Sequence, residues 1–186
     1  MLLEVMFVSL VIGILRGGKL TGLADLPLEK VGLVIVAFLI QYSLVFFGEG
    51  GYNLFSNWGV YLHILSYLLL LIAIWYSRSI RGMKIIGLGV LVNFIVILSN
   101  GGRMPVSVEA LSRTGLDEML PLLTSKAYVI HTILTPNSRL KLFSDIIPLP
   151  PPYPRPRVLS IGDIIMAVGV FVLIQQGMRS NIQKRG

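Results

Sequence analysis

Asp163 stands about one turn inside an otherwise apolar stretch near the end of the chain, where a carboxylate is costly and needs a reason. Three readings compete. It can be a first-turn carboxylate favoured by the positive end of a helix dipole. It can pair with Arg103, Arg155 or Arg157, or it can move a proton or activate water. Asp145 lies just before a proline-rich run and can fold back towards it. Two carboxylates sharing a site split their pKa values, as acid–base chemistry requires. If the chain is an enzyme, Asp163 and Asp145 are its catalytic candidates, with Glu4 and Glu49 as further acids on the same expected side.

Asn100-Gly101-Gly102-Arg103 is the second constellation. Glycines let amide N–H groups turn towards an anion, and a guanidinium holds phosphate through two hydrogen bonds. The structural alternative is a glycine helix stop, with Arg103 anchored among headgroups. Arg155 and Arg157 add cations nearby in sequence to Asp163. With no cysteine and only His63 and His131, no metal site is expected and no cofactor is implied. His63, among aromatic residues, reads as a packed histidine, and His131 falls in a different segment, too far along to join it on a haem. Asn93 and Gln41 read as interhelical hydrogen-bonding residues, and Gly87, Gly89, Gly162 and Gly169 as close-packing positions.

The elements that must hold these residues are membrane helices. Of 186 residues, 54% are hydrophobic and 13% charged, with mean hydropathy +0.79, well short of the ~25% charge of a soluble domain. Apolar runs at residues 1–15, 31–47, 57–76, 85–98 and 158–178 predict an all-α integral membrane bundle of five transmembrane helices. The first is short, and a cleaved signal peptide is its rival reading. No positive residue precedes it, so a retained helix is preferred. Arg16, Lys19 and Lys30, then Arg78, Arg81 and Lys84, then the basic tail, place the N-terminus outside and the C-terminus in the cytoplasm.

Residues 99–157 then form an extracytoplasmic cap. Ser107 caps a short helix closed by Gly115, Leu116, Leu120 and Leu123 recur at helical spacing, and Pro136-Asn137-Ser138 marks a turn. Six prolines within 148–156 predict an extended polyproline strap that makes neither helix nor central strand. The organisation is one structural unit: a four-span bundle over 1–98, the cap and strap over 99–157, and a fifth span with a cytoplasmic tail over 158–186.

Asn100-Gly101-Gly102-Arg103-Met104-Pro105-Val106, with the block Pro152-Tyr153-Pro154-Arg155-Pro156-Arg157-Val158-Leu159-Ser160-Ile161-Gly162-Asp163, resembles an uncharacterised family of small bacterial multi-pass membrane proteins, a domain of unknown function. That resemblance implies a bacterial inner-membrane protein and no reaction. Ser160-Ile161-Gly162-Asp163 and the small-residue helix after it are also similar to the closing motif of lipoprotein signal peptidases. By that analogy Asp163 alone maps onto a functional position. The family's other aspartate sits in an asparagine- and arginine-bearing motif that is not intact in this chain.

The function these residues suggest is a non-enzymatic membrane module. It would bind a lipid, an isoprenoid-type amphiphile or a partner subunit at its outer face, with Asn100, Gly101, Gly102, Arg103, Arg155 and Arg157 contacting an anionic group and Asp163 orienting them. An aspartate-dependent membrane hydrolase is the alternative from another class, and a small structural subunit of a larger complex is the third. Membrane lipids, a membrane protein partner or a second copy are the expected partners. Nucleic acid is not, because the net charge of +7 is dispersed along the loops.

Overall fold

In the computed structural model the described residues are 1–49, 58–125 and 128–183. The fold is mostly helical. Helix α1 (Leu2–Leu15) leads through the single turn α2 (Thr21–Ala24) to α3 (Val31–Glu49), α4 (Gly59–Tyr76) and α5 (Arg81–Ser99); α8 (Ile161–Gln183) closes the chain. Four of these, α3, α4, α5 and α8, are long and apolar enough to cross a bilayer, and α1 is a shorter apolar helix. The packing order is α3–α4–α5–α8–α1, a row whose neighbours are antiparallel except that α1 and α8 run parallel. Ile74, Ile80, Met83 and Val90 form its core, with Met166 and Leu173 of α8 packed against them.

The α5–α8 contact is the tightest in the row. A Cβ at Gly82 would lie 2.6 Å from the Cα of Leu173, and one at Gly169 would lie 2.6 Å from the backbone nitrogen of Ile86. At the other end Gly89 faces the carbonyl of Gly162. Seven-residue spacing on both helices thus makes a glycine seam along which two backbones touch. Large apolar side chains point away from the row instead: Leu3, Phe7, Phe38, Leu39, Tyr42, Trp58, Tyr61, Trp75 and Leu88 are all more than half exposed. An apolar exterior of that extent suits lipid, not water.

Residues 100–160 depart from the all-α expectation. They contain α6 (Val108–Arg113) and α7 (Leu120–Thr124), and also four three-residue strands. β1 (Met104–Val106) pairs in parallel with β2 (His131–Ile133), and β3 (Ile147–Leu149) pairs antiparallel with β4 (Arg157–Leu159). α6 begins as read from the sequence, with the Ser107 hydroxyl accepting from the Ala110 N–H at 3.2 Å. The proline run is a correction. Pro148 sits inside β3, opposite Val158, and residues 150–156 turn the chain back on itself, so the strap is a hairpin. A two-stranded ribbon has only edge strands, and a proline facing its open side costs no ladder hydrogen bond. The last helix correspondingly starts at Ile161, because Val158 and Leu159 belong to β4.

This segment has its own apolar core of Val106, Leu111, Leu123 and Tyr128. It rests on the row where α5 ends and α8 begins, and Val129 and Ile130 pack on Leu44 of α3. Charge divides sharply between the two ends of the row. At the segment's end the described side chains include six cations (Arg103, Arg113, Arg139, Lys141, Arg155, Arg157) against six acids (Glu4, Glu109, Asp117, Glu118, Asp145, Asp163). At the opposite end seven cations (Arg16, Lys19, Lys30, Arg78, Arg81, Lys84, Arg179) face only Asp25 and Glu29.

Candidate functional site

Strand β1 assembles the most unusual side-chain pair in the molecule. On one edge it pairs with β2, setting His131 opposite Met104, with the Met104 N–H donating to Ile130 O at 2.8 Å. On its other edge the Asp145 N–H donates to Pro105 O at 3.0 Å and Asp145 O accepts from the Ser107 N–H at 2.9 Å. Pro105, having no N–H, serves this second edge through its carbonyl alone. The result brings His131 Nε2 to 3.7 Å from Asp145 Oδ2, while His131 Nδ1 meets the Tyr128 hydroxyl at 3.1 Å. Burial, and secondly repulsion from His63, pushes His131 down to about 4. Burial, and secondly the neighbouring Asp163 carboxylate, pushes Asp145 well above the usual carboxylate range. Both shifts favour the uncharged forms of the two groups.

Asp163 is engaged differently. Ser160 precedes α8, and its hydroxyl accepts from the Asp163 N–H at 3.0 Å while the Ser160 N–H donates to Asp163 Oδ2 at 3.0 Å. This is a capping box, with the carboxylate in place of the usual glutamate. Asn93 of α5 completes it, donating from Nδ2 to Asp163 Oδ1 at 3.0 Å and accepting from the Ser160 hydroxyl at 2.9 Å. Both Asp163 oxygens are therefore occupied. The salt bridge expected from Arg103, Arg155 or Arg157 is not among those of the described residues. Arg157 instead reaches Glu4 Oε1 at 3.3 Å.

Asn100-Gly101-Gly102 is a helix stop. Gly101 and Gly102 take positive φ, and the Gly102 N–H donates to Ile97 O at 2.8 Å, closing α5 in a Schellman turn. The Asn100 side chain pins the segment above, exchanging hydrogen bonds with the Arg139 backbone at 2.8 and 3.0 Å. The Gly102 carbonyl accepts from His63 Nδ1 at 2.8 Å, which fixes that nitrogen as the donor. The Gly102 amide, among those expected to meet an anion, is thus committed to ending α5.

Three cavities meet at His131. A polar one of about 340 Å³ is lined by Glu4, His131, Asp145, Arg155, Arg157 and Asp163, with Leu2, Leu3, Val158 and Leu159. Arg103 is not among its walls. An apolar one of about 180 Å³, lined by Val106, Leu111, Leu116, Met119 and Leu123, shares His131, Asp145 and Arg157. The third, of about 490 Å³, is a groove between α3 and α4 lined by Phe38, Gln41, Tyr42, Val45, His63, Tyr67 and Ile130. His63 and His131 therefore line one groove after all, contrary to the sequence reading that separated them. Among the described residues no group of three or more His, Asp or Glu side chains is placed to hold a metal.

Sequence reasoning named Asp145, Asp163, Arg155 and Arg157, and the fold sets all four on one cavity. It missed His131 and Tyr128, for which the 14-position separation of His131 and Asp145 offers no spacing signal. It also missed the Ser160–Asp163 box, for which the signal was present: a serine three residues before an acid at the start of an apolar run. That box accounts locally for the run Ser160-Ile161-Gly162-Asp163.

A protein of Thermotoga maritima described only as uncharacterized is 28% identical over 172 residues, covering 92% of this chain and 89% of that one. No solved structure matches. The profile of a family of unknown function, DUF5317, matches residues 25–175, which include the polar cavity's Asp145, Arg157 and Asp163, and the chain belongs to that family.

Proposed function

We propose that this is a five-span bacterial inner-membrane protein whose outer cap binds an amphiphile with an anionic head and an apolar tail. The observation that carries the reading is the place of His131, where a polar cavity bearing Arg155 and Arg157 joins a groove between α3 and α4. Phe38 and Tyr42, on that groove, are more than half exposed on the outward face of α3. A tail lying there from the bilayer would bring its head to His131 and Arg157. A guanidinium suits phosphate or carboxylate, and the two arginines give the cavity its cationic side.

Charge supports the orientation. The end rich in Lys and Arg faces the cytoplasm by the positive-inside rule, which puts the cap outside. Helix α1 serves as the fifth span although its 14 residues rise only ~21 Å. It runs beside α8 from Glu4–Arg157 at one end to Arg16–Gln175 at the other, and the Lys19 N–H donates to Met178 O at 3.0 Å.

The hydrolase alternative loses ground on one point: Asp163, the residue it depends on, has both oxygens engaged by the capping box. The test is purification of the full chain in nanodiscs of its host's lipids, followed by native mass spectrometry. A retained anionic amphiphile, lost in Arg157→Ala and in Tyr42→Trp, is the expected result. A folded protein that retains none, or retains the same one equally in both variants, would overturn the reading.

A further inference from the structure

At the end of the bundle opposite this site lies a separate cavity of about 490 Å³ between α1, α5 and α8, walled by Arg16, Arg81, Arg179 and Gln175 above Phe171 and Val172. The three arginines come from three helices. Arg16 follows the last residue of α1, Arg81 opens α5, and Arg179 lies in the last turns of α8. Backbone contacts hold them there. Gly82 lets the start of α5 touch Leu173, and Gln175 Nε2 donates to Ser9 O at 2.6 Å, tying α1 to α8.

Their charges are uncompensated. Arg16 donates to Gln175 Oε1 at 3.3 Å, and none of the three arginines is in a salt bridge among the described residues. Asp25 and Glu29 are the acids at this end, and neither lines the cavity. Three guanidiniums gathered around one hollow repel each other, so the packing that gathers them works against electrostatics. An anion with several oxygens reverses that sign, since each fork donates two parallel hydrogen bonds to phosphate. Phe171 and Val172 supply an apolar floor of the kind an attached acyl chain would cover, and basic pockets between membrane helices take anionic headgroups.

We propose that this cavity binds a phosphate-bearing anion, whose chemistry a lipid phosphodiester and inorganic phosphate share. The reading is independent of the amphiphile site, from which it is separated by the length of α8.

The test measures the thermal midpoint of the full chain, by far-ultraviolet circular dichroism, in phosphatidylcholine nanodiscs. Phosphatidylglycerol is added to the discs in one arm and inorganic phosphate to the buffer in the other. The wild type should be stabilised, and Arg81→Gln with Arg179→Gln should weaken the apparent affinity by about tenfold or more. Stabilisation by phosphate in phosphatidylcholine alone identifies a free anion as sufficient. Stabilisation by phosphatidylglycerol only identifies the headgroup of a lipid. Lys30→Gln with Lys84→Gln removes two charges from the same end outside the cavity and should leave the response intact. Should the glutamine pair not fold, Arg81→Lys with Arg179→Lys keeps the charge but loses the fork, and must also weaken the response. No stabilisation in either arm would overturn the proposal, as would equal loss in the Lys30/Lys84 control.

Discussion

Asp163 offers the sharpest separation between a structural and a chemical role, because the structure says which hydrogen bonds each replacement removes. The carboxylate accepts from Asn93 Nδ2 and from the Ser160 N–H, each at 3.0 Å. Asp163→Asn keeps one accepting oxygen. Asn93 can turn its amide over, offering its oxygen to the new NH2 and its nitrogen to the Ser160 hydroxyl, so the network closes again. What remains lost is the charge at the helix N-terminus, ~0.3–1 kcal/mol. Ser160→Ala removes the cap itself, ~1 kcal/mol, and strips Asn93 Oδ1 of its donor. Asp163→Ala leaves both donors without an acceptor at ~1–3 kcal/mol each, so it should be the most damaging. The expected order of stability is wild type, Asp163→Asn, Ser160→Ala, Asp163→Ala, read as the midpoint of unfolding by dodecyl sulfate in mixed micelles. Amphiphile retention should survive Asp163→Asn. An Asp163→Ala protein as stable as wild type would refute the capping argument. An Asp163→Asn protein that is fully stable yet devoid of retained ligand or turnover would return Asp163 to a chemical role.

Two further outcomes follow from the packing and the titrating pair. Gly82→Ala and Gly169→Ala should each cost ~1–3 kcal/mol in the same unfolding titration, because each new methyl meets backbone and only helix separation relieves it. Together they should cost less than their sum, since separation forced by one makes room for the other. For pH, the two shifts act in opposite senses. His131, lowered from 6.5 to about 4, takes up its proton more readily in the unfolded chain, so its contribution to stability rises with pH between about 4 and 6.5. Asp145, raised above 3.8, holds its proton more tightly in the folded chain, so its contribution falls as pH rises from 3.8 through its folded value. In Asp145→Asn the histidine acts alone: stability should rise from about pH 4 to 6.5 by at most ~1.4 kcal/mol per unit, more steeply than in wild type. Midpoints measured across this range in both proteins check the signs, and an equally steep rise in both would contradict them.

Much of the helical frame was legible because one rule governs it. A run of apolar residues long enough to cross hydrocarbon must satisfy its own backbone, and α3, α4, α5 and α8 have the length and composition to do so. Ser107 announced α6 for a similarly local reason, and the glycines of α5 and α8 announced a close contact without saying which partner each would meet. The strands were not legible. Three residues carry no period, and Met104–Val106 pairs with His131–Ile133 and with Asp145 only because those distant segments fold onto it. Prolines within 148–156 argued against strand by a rule that holds for central strands, whereas β3 has an open edge. Arg103 was grouped with Arg155 and Arg157 by charge type, but helix geometry sends it elsewhere. The basic cavity between Arg16, Arg81 and Arg179 spans 163 positions and leaves no trace in sequence order beyond the charge bias of its end.

The His131–Asp145 pair is the feature that packing alone explains least. Asp145 is almost wholly buried, at 7% exposure, and among the described residues no arginine pairs with its carboxyl, although Arg157 lines the same cavity. Arg157 is instead turned to Glu4. An apolar residue at position 145 would keep the backbone bonds to Pro105 and Ser107, which hold the strand, and would avoid the desolvation of a carboxyl group. Replacement of buried polar pairs by apolar residues is often neutral or stabilising. The fold therefore has no need of this acid where its backbone already suffices. What the carboxyl and the imidazole do provide is two polar groups, each favoured in its uncharged form, where the polar cavity bearing Arg157 meets the groove between α3 and α4. A neutral donor and acceptor at that junction can meet a headgroup without adding repulsive charge, whereas an ionised Asp145 would oppose the same anion. On the proposed reading of an anionic amphiphile, Asp145→Leu should separate the two demands: stability kept or raised, retention of the amphiphile lost.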